Sequence, residues 1–237
     1  MWRCSIKEIG FDQYYQAEQT GWVLYVEGPT DLDILRSFAQ TLEHMAFTSL
    51  ECPFVHYVGN QPGAVRRHFH GLREANQDLL AVALFDRLDR ELPDDLGAIG
   101  LMWTRREIEN YLCLPDVLRA YARHNLHNDL FGQAEADKRV RLMDELIRDL
   151  VPPVALRDPQ HAWWLNTKAT DDFLDPLFHA YFTRLNLPNL MRKTDYHVLA
   201  GLVRRDELDS EVAEKLDVIV SVAGKARPEG DESTGSS

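Results

Sequence analysis

The chain has 237 residues, of which 45% are hydrophobic and 27% are charged, a composition typical of a globular protein with a sizeable core. Its net charge of −12 gives it no general attraction to nucleic acid, which would have to bind through bound cations and local basic patches. Charged residues interrupt the first twenty positions and no apolar run reaches the roughly 20 residues that span a bilayer, so we expect a cytoplasmic protein without a membrane segment.

The first half of the chain alternates predicted strands with predicted helices. Apolar, β-branched and aromatic runs predict strands at Trp22–Val26, Pro53–Val58, Leu79–Phe85 and Ala98–Trp103. Apolar residues at helical spacing predict helices at about 31–45, with Thr30 as the N-cap, and at Gly63–Asn76. Strands that alternate with helices indicate βαβ units and therefore a parallel sheet of about four strands.

The second half of the chain is predicted to be mostly helical. Helical spacing recurs near 115–124, 136–150, 171–184 and 206–222. We therefore predict an α/β fold with four parts: a lead-in at 1–20, the sheet domain at 21–112, a helical extension at 113–223 and a disordered tail at 224–237.

Acidic residues follow the two strongest predicted strands. Glu27 ends the first strand and Asp31 lies at the start of the following helix, while Asp86 ends the third strand and Asp89 comes three residues later. Since active sites of open α/β sheets gather at the carboxyl ends of strands, these side chains are candidate ligands for Mg²⁺ or Mn²⁺. The alternatives are a helix N-terminus that favours Asp31 and Asp33, and a polar turn at Asp86 and Asp89; a carboxylate at Glu27 is harder to explain by packing.

The cysteines, the absence of a phosphate-loop motif and the arginine groups limit the possible functions further. Three separated cysteines, Cys4, Cys52 and Cys113, favour reduced and mostly buried thiols over a disulfide framework or a zinc ribbon. The sequence contains no Gly-x-x-x-x-Gly-Lys-Ser/Thr phosphate loop, so we do not expect ATP binding through that motif. Three arginine groups are candidate basic patches: Arg66, Arg67 and Arg73; Arg105 and Arg106; Arg204 and Arg205.

Four segments together resemble a known family. VLYVEGPTDLDIL at 23–35 resembles the first motif of the toprim domain, and LFDRLDRE at 84–91 resembles the second, acidic motif. RREIENYLCLP at 105–115 and WLNTKATDDFL at 164–174 resemble segments that follow the toprim domain in the overcoming-lysogenization-defect (OLD) family of ATPase-associated nucleases. The likeness covers about residues 22–175 and implies that 21–112 is a toprim catalytic domain with a Rossmann-like sheet.

The resemblance also implies roles for individual residues. The implied metal ligands are Glu27, Asp31, Asp86, Asp89 and Glu109, which would hold Mg²⁺ or Mn²⁺, as two ions. The implied catalytic residues are Glu27, Asp31, Asp86 and Lys168, with Glu27 as ligand or general base and Lys168 stabilising charge on the scissile phosphate. Glu107 would share a face with Glu109 if that segment were extended, and Lys193 is the alternative basic residue.

The implied activity is a metal-dependent DNA endonuclease that acts with a separate ABC-type ATPase in defence against phage, and that could form a homo-oligomer. Only about twenty residues precede the first strand, where relatives carry the ATPase, so we expect a stand-alone or truncated toprim unit. One departure is that Leu88 occupies the position of the second Asp in the family's Asp-x-Asp motif. This departure favours the alternative of a degenerate module that binds nucleic acid or a partner ATPase without cutting; a topoisomerase or primase fragment is a further alternative.

Overall fold

The computed structural model describes residues 9–127 and 129–228. It is an α/β fold with one four-stranded sheet in which every pair of neighbouring strands is parallel, and helices cover both faces. The predicted fold class is therefore confirmed, including the helical C-terminal region. The strands are β1 (Trp22–Val26), β2 (Val55–Tyr57), β3 (Leu80–Phe85) and β4 (Ile99–Met102), in the spatial order β2-β1-β3-β4.

The two central strands, β1 and β3, are buried on both faces, which explains their uninterrupted apolar runs. Successive side chains of a strand point to opposite faces. In β1, Leu24 and Val26 belong to the larger apolar core on one face, whereas Val23 and Tyr25 belong to a smaller core on the other. All four of these side chains are 0% exposed.

Helices from the first half cover both faces. The smaller core is closed by α1 (Phe11–Thr20) and α4 (Pro62–Arg73), and the larger core by α2 (Pro29–Thr41) and α3 (Ala46–Glu51). Helix α1 lies inside the predicted lead-in and was not expected from the sequence. Helix α2 begins at Pro29, after an extended Gly28, and not after Thr30 as predicted. Proline is tolerated in a first helical turn because the missing amide has no partner there in any case.

The C-terminal region adds seven α-helices to the described part of the chain, with a π-helical turn at Ala169–Leu174 and a 3₁₀ turn at Lys193–Asp195 between them. Buried residues of these helices belong to the same core as β1 and α2. Residues 224–226, predicted as the start of the tail, continue from the last helix, and Ala226 packs against this core. The helices are α5 (Pro115–Arg123), α6 (Leu130–Leu150), α7 (Pro153–Arg157), α8 (Ala162–Asn166), α9 (Asp175–Arg184), α10 (His197–Ala200) and α11 (Ser210–Ala223).

The predictions for the tail, the cysteines and membrane segments can be compared with the structure only in part. Residues 229–237 of the predicted tail, and Cys4 in the lead-in, lie outside the described residues. Cys113 is buried as expected, whereas Cys52 is exposed; both are free thiols. None of the helices within 9–127 and 129–228 has the combination of length and apolar character that crossing a membrane requires.

Candidate functional site

The candidate site lies between β1 and β3, where the order of the strands in the sheet reverses. From β1 the chain moves outward to β2, then returns to place β3 on the other side of β1, so the carboxyl ends of β1 and β3 border the crevice in which α/β folds bind ligands. The register pairs Tyr25 with Ala83, and its continuation places Glu27 level with Phe85 and next to Asp86. The structure thus brings Glu27 and Asp86 together at this crevice.

The carboxyl group of Asp86 is buried close to three other acidic side chains. Burial, the contact with Glu27 and the nearby charges of Glu109 and Asp31 raise the pKa of Asp86 far above its ordinary value. The Asp86 carboxyl group is held in position because its Oδ1 accepts a hydrogen bond from the amide of Ile108 at 3.2 Å.

Asp31 joins the pair from the first turn of α2. Its Oδ2 accepts a hydrogen bond from the amide of Glu27 at 3.0 Å, which fixes the start of the helix against the end of β1. Burial, followed by the charges of Glu109 and Glu27, raises the pKa of Asp31 to about 7. The neighbouring Asp33 does not take part in this arrangement and forms an ion pair with Arg36 at 3.2 Å.

Glu109 is the most deeply buried of the acidic side chains in the described part of the chain, with an exposed fraction of 1%. It lies in a 3₁₀ turn at Ile108–Tyr111, so the extended conformation considered for this segment is wrong, and Glu107 instead accepts a hydrogen bond from the amide of Thr170 at 3.3 Å. The ammonium of Lys193 lies 3.3 Å from Oε1 of Glu109, an ion pair at the long limit of a hydrogen bond, and this buried oxygen otherwise has no hydrogen-bond partner among the described residues.

Lys193, and not Lys168, is the basic residue that the structure places in this cluster. Burial alone would lower the pKa of Lys193, but the charges of Glu109, Glu27 and Asp31 outweigh it and raise the pKa above its ordinary value. Lys168 is exposed and forms an ion pair with Asp171 at 2.9 Å. Sequence reasoning preferred Lys168 because its segment carried the family resemblance; the sequence offers no signal that ranks Lys193 above it.

The departure at position 88 has a structural explanation. Leu88 is partly buried and packs against the smaller core, and its amide contacts Sδ of Met102 at 3.2 Å. Asp89, which was expected to compensate for the missing Asp, is exposed in the loop after β3. The structure therefore groups Glu27, Asp31, Asp86 and Glu109 and leaves Asp89 at the surface.

The predicted arginine patches are largely bound to other parts of the protein. Arg105 donates to Asp209 at 3.0 Å and lies 4.6 Å from the ring centre of Tyr111, while Arg66 pairs with Asp95. Arg87, which directly follows Asp86 and was not singled out in the sequence, donates to the side chain of Asn166 at 2.7 Å. The remaining contacts are those of Arg73 with the carbonyl of Gln77, Arg204 with Asp206, and Arg205 with Glu43.

The four carboxylates are of the ligand type that divalent cations prefer, but their side chains are not arranged as a metal site. All donors are carboxylate oxygens, the ligands preferred by Mg²⁺ and Mn²⁺, and one of the oxygens is buried without another hydrogen-bond partner. Within residues 9–127 and 129–228, however, no three acidic, His or Cys side chains converge as a formed metal site. Asp31, Asp86 and Glu109 instead contact a backbone amide or Lys193.

Comparison of the chain with protein-family models, with curated proteins and with solved structures finds no match. The resemblance to the toprim domain of OLD-family nucleases therefore stays a prediction. The parallel sheet and the grouping of Glu27, Asp31, Asp86 and Glu109 at one crevice stand on the structure alone.

Proposed function

We propose that this protein is a metal-dependent DNA endonuclease of the toprim/OLD type, in which Glu27, Asp31, Asp86 and Glu109 hold Mg²⁺ or Mn²⁺. The observation that carries the proposal is the meeting of Glu27 and Asp86 at the point where the strand order reverses. Buried like charges destabilise one another, so a cluster of this kind in the ligand-binding crevice is typical of a cation site.

Glu27, Asp31, Asp86 and Glu109 would hold the divalent cation, which would supply charge to activate water and to stabilise the oxygen leaving phosphorus. In the hydrolysis, the water oxygen bonds to phosphorus, the P–O bond to the leaving strand breaks, and one water proton passes to the Glu27 carboxylate. The leaving oxygen takes a proton from solvent. The ammonium of Lys193, 3.3 Å from Glu109, lies close enough to the carboxylates to stabilise negative charge on the phosphate.

DNA would reach this site past an exposed basic rim. Arg106 and Lys168 are exposed and close enough for their charges to interact. Such side chains can contact phosphates and offset locally the repulsion caused by the net charge of −12. A separate ABC-type ATPase is the partner that the family resemblance implies, and homo-oligomer formation belongs to the same proposal.

The test is cleavage of supercoiled plasmid by purified protein in the presence of Mn²⁺. We expect Glu27→Ala to lower the rate at least 100-fold while leaving the circular dichroism spectrum unchanged. Asp33→Asn is the matched control, because this acidic residue lies in the same segment but pairs with Arg36, and it should cleave like the wild type. Equal cleavage by the Glu27→Ala protein contradicts the proposal.

A second candidate function is a non-cleaving module that binds nucleic acid or an ATPase. The packing of Leu88 against the apolar core favours it, since this position offers no ligand. Binding of DNA without Mn²⁺-dependent cleavage, by both the wild type and the Glu27→Ala variant, would identify this second function.

A further inference from the structure

The outer edge of β4 is apolar and lacks the residues that usually prevent a sheet edge from pairing. β4 ends the strand order of the sheet, with β3 beside it. Edge strands are commonly protected by charged side chains or proline, which make pairing with another strand unfavourable. Residues 98–102 contain no charged residue and no proline, and the side chain of Ile99 is 49% exposed.

The backbone groups along this edge have no partner over the length of β4. The amide of Trp103 donates to the carbonyl of Phe85 at 3.0 Å, so alternate residues of β4 direct their backbone groups towards β3. Gly100 and Met102 therefore direct theirs outward. Within residues 9–127 and 129–228, no hydrogen bond reaches the amide or the carbonyl of either residue.

The edge is closed just beyond β4 and open at its start. Thr104 donates its amide to the carboxylate of Glu211 at 2.9 Å, and its carbonyl accepts from Arg87 at 3.2 Å. Beside Ile99, by contrast, the surface forms a groove of about 350 Å³, which Val222 of α11 also lines. An added strand therefore has room beside β4 but not beside the residues that follow it.

The outward backbone groups are complementary to themselves when a second copy approaches antiparallel. A two-fold axis at Gly100 places the two copies of this residue opposite each other, where each donates its amide to the carbonyl of the other. Met102 of each copy then lies opposite Ala98 of the other and forms the same reciprocal pair. This register satisfies all the outward groups of residues 98, 100 and 102.

The side chains fit the same register. Ile99 and Leu101 pair with Val82 and Leu84 of β3, so they lie on the face of the larger core. Antiparallel pairing about Gly100 places Ile99 of one copy opposite Leu101 of the other, and aliphatic pairs of this kind stabilise neighbouring strands. The exposed side chain of Ile99 would thus be covered by a residue of the same chain.

We propose that β4 pairs with β4 of a second copy of this chain, so that the two sheets become one continuous sheet across a two-fold axis. A second copy is favoured over a foreign strand because its own residues satisfy the edge without bringing a charge to it. The inference gives the homo-oligomer of the proposed function a defined interface and does not depend on cation binding or cleavage. Because the two copies run antiparallel, their crevices open in opposite directions.

The experiment measures the oligomeric state of the full chain by light scattering and analytical ultracentrifugation over the micromolar range, with amide hydrogen exchange in β4. We expect a dimer in which the amides of Gly100 and Met102 exchange more slowly as the protein concentration rises. Ile99→Lys places a charge opposite Leu101 of the second copy and should raise the dissociation constant at least tenfold. Tyr57→Lys is the matched control, because Tyr57 is 46% exposed in β2 at the opposite edge of the sheet, and it should leave the dimer unchanged.

The outcomes decide the inference separately from the nuclease proposal. A monomeric wild type overturns it and leaves the edge to an extended segment of another protein. A dimer that is weakened equally, or not at all, by Ile99→Lys and Tyr57→Lys also overturns it, since the interface then lies elsewhere. If Ile99→Lys fails to fold, exchange in the wild type decides: β4 amides whose exchange does not change with concentration overturn the inference. None of these results depends on plasmid cleavage.

Discussion

At the scale of single residues, the fold disfavours the ionised forms of Asp31 and Asp86 in the absence of a cation. Burial and mutual repulsion raise the pKa values of Asp31 and Asp86, so both groups bind protons more readily in the folded protein than in the unfolded chain. A bound cation reverses this balance by favouring the ionised forms. Protons and divalent cations therefore compete for the same oxygens.

The first prediction concerns the pH dependence of stability in metal-free protein. The pKa of Asp31 rises from 3.8 in the unfolded chain to about 7, so its contribution to the free energy of unfolding is present below pH 4 and is lost as the pH rises to 7. At about 1.4 kcal/mol per pKa unit the loss is roughly 4 kcal/mol over the whole range and roughly 3 kcal/mol between pH 5 and pH 7, and we expect Asp31→Asn to remove it. The measurement is urea unfolding in EDTA at pH 5 and pH 7.5.

The variant must be compared with the wild type because His68 changes the free energy of unfolding in the opposite direction as the pH rises. Burial, aided by the adjacent His56, lowers the pKa of His68 to about 4, so its contribution to stability increases as the pH rises from 4 towards 6.5. His68 is present in both proteins and cancels from their difference. A difference that does not change between pH 5 and pH 7.5 would contradict the prediction.

The sequence pointed to most of the candidate site but ranked its basic residue, Lys193, second to Lys168. Glu27 and Asp86 were predictable because each directly follows a strand whose apolar run is easy to recognise, and parallel strands end at one edge. Lys193 was named only as the alternative to Lys168, because its approach to Glu109 depends on the packing of distant C-terminal segments. Nothing local distinguishes it from Lys168, which lies at the surface.

At the scale of elements, the turn that carries Glu109 is held by two segments from the C-terminal region. Asn110 donates through Nδ2 to the carbonyls of Trp164 and Thr167, both at 3.1 Å. The hydroxyl of Tyr111 donates to the carboxylate of Glu211 in α11, which also accepts from the amide of Thr104 at 2.9 Å. The C-terminal helices therefore set the position of a carboxylate in the sheet crevice.

The second prediction tests the contact between α11 and this turn. Glu211→Ala leaves the Tyr111 hydroxyl and the Thr104 amide without their acceptor, so we expect the free energy of unfolding to fall by about 1–3 kcal/mol. Glu214→Ala, one turn along the same helix and exposed, should change it by less than about 0.5 kcal/mol. Equal effects of the two substitutions in urea unfolding would show that the contact does not stabilise the protein.

The elements that the sequence predicted are those with long periodic patterns. β1 matches its predicted bounds and β3 begins one residue later than predicted, because both are buried on both faces. Helices of four to six residues, such as α3, α8 and α10, were missed since so few residues show no clear period. Helix α6 begins at Leu130, six residues before the first apolar residue of the predicted stripe, in a segment where Leu130 and Phe131 are exposed.

At the scale of the whole molecule, the boundary predicted at residue 113 does not separate two cores. Val212, Leu216 and Ile219 of α11 are 0% exposed and pack in the same core as β1, β3 and α2. Only the smaller core on the opposite face is built entirely from the first half of the chain. The sheet therefore depends on the C-terminal helices to cover one of its faces.

The third prediction is that the sheet region does not fold without α11. A fragment ending at residue 209 exposes the apolar surface that α11 covers, and we expect it to lose the cooperative urea transition of the full chain. A fragment ending at residue 228 retains every described helix and should unfold cooperatively. A cooperative transition of the shorter fragment, followed by tryptophan fluorescence and circular dichroism, would contradict the prediction.

The distribution of the site along the chain limits how it can be transplanted. Glu27 and Asp31 lie close together in the sequence and could be moved to another protein as one short segment, but Glu109 and Lys193 come from two further segments whose positions depend on the packing of the C-terminal helices. A graft of the strand-end motif alone would carry the repulsion between acidic groups without the ammonium that offsets it. An engineer who wishes to reuse this chemistry must therefore transfer the supporting scaffold together with the motif.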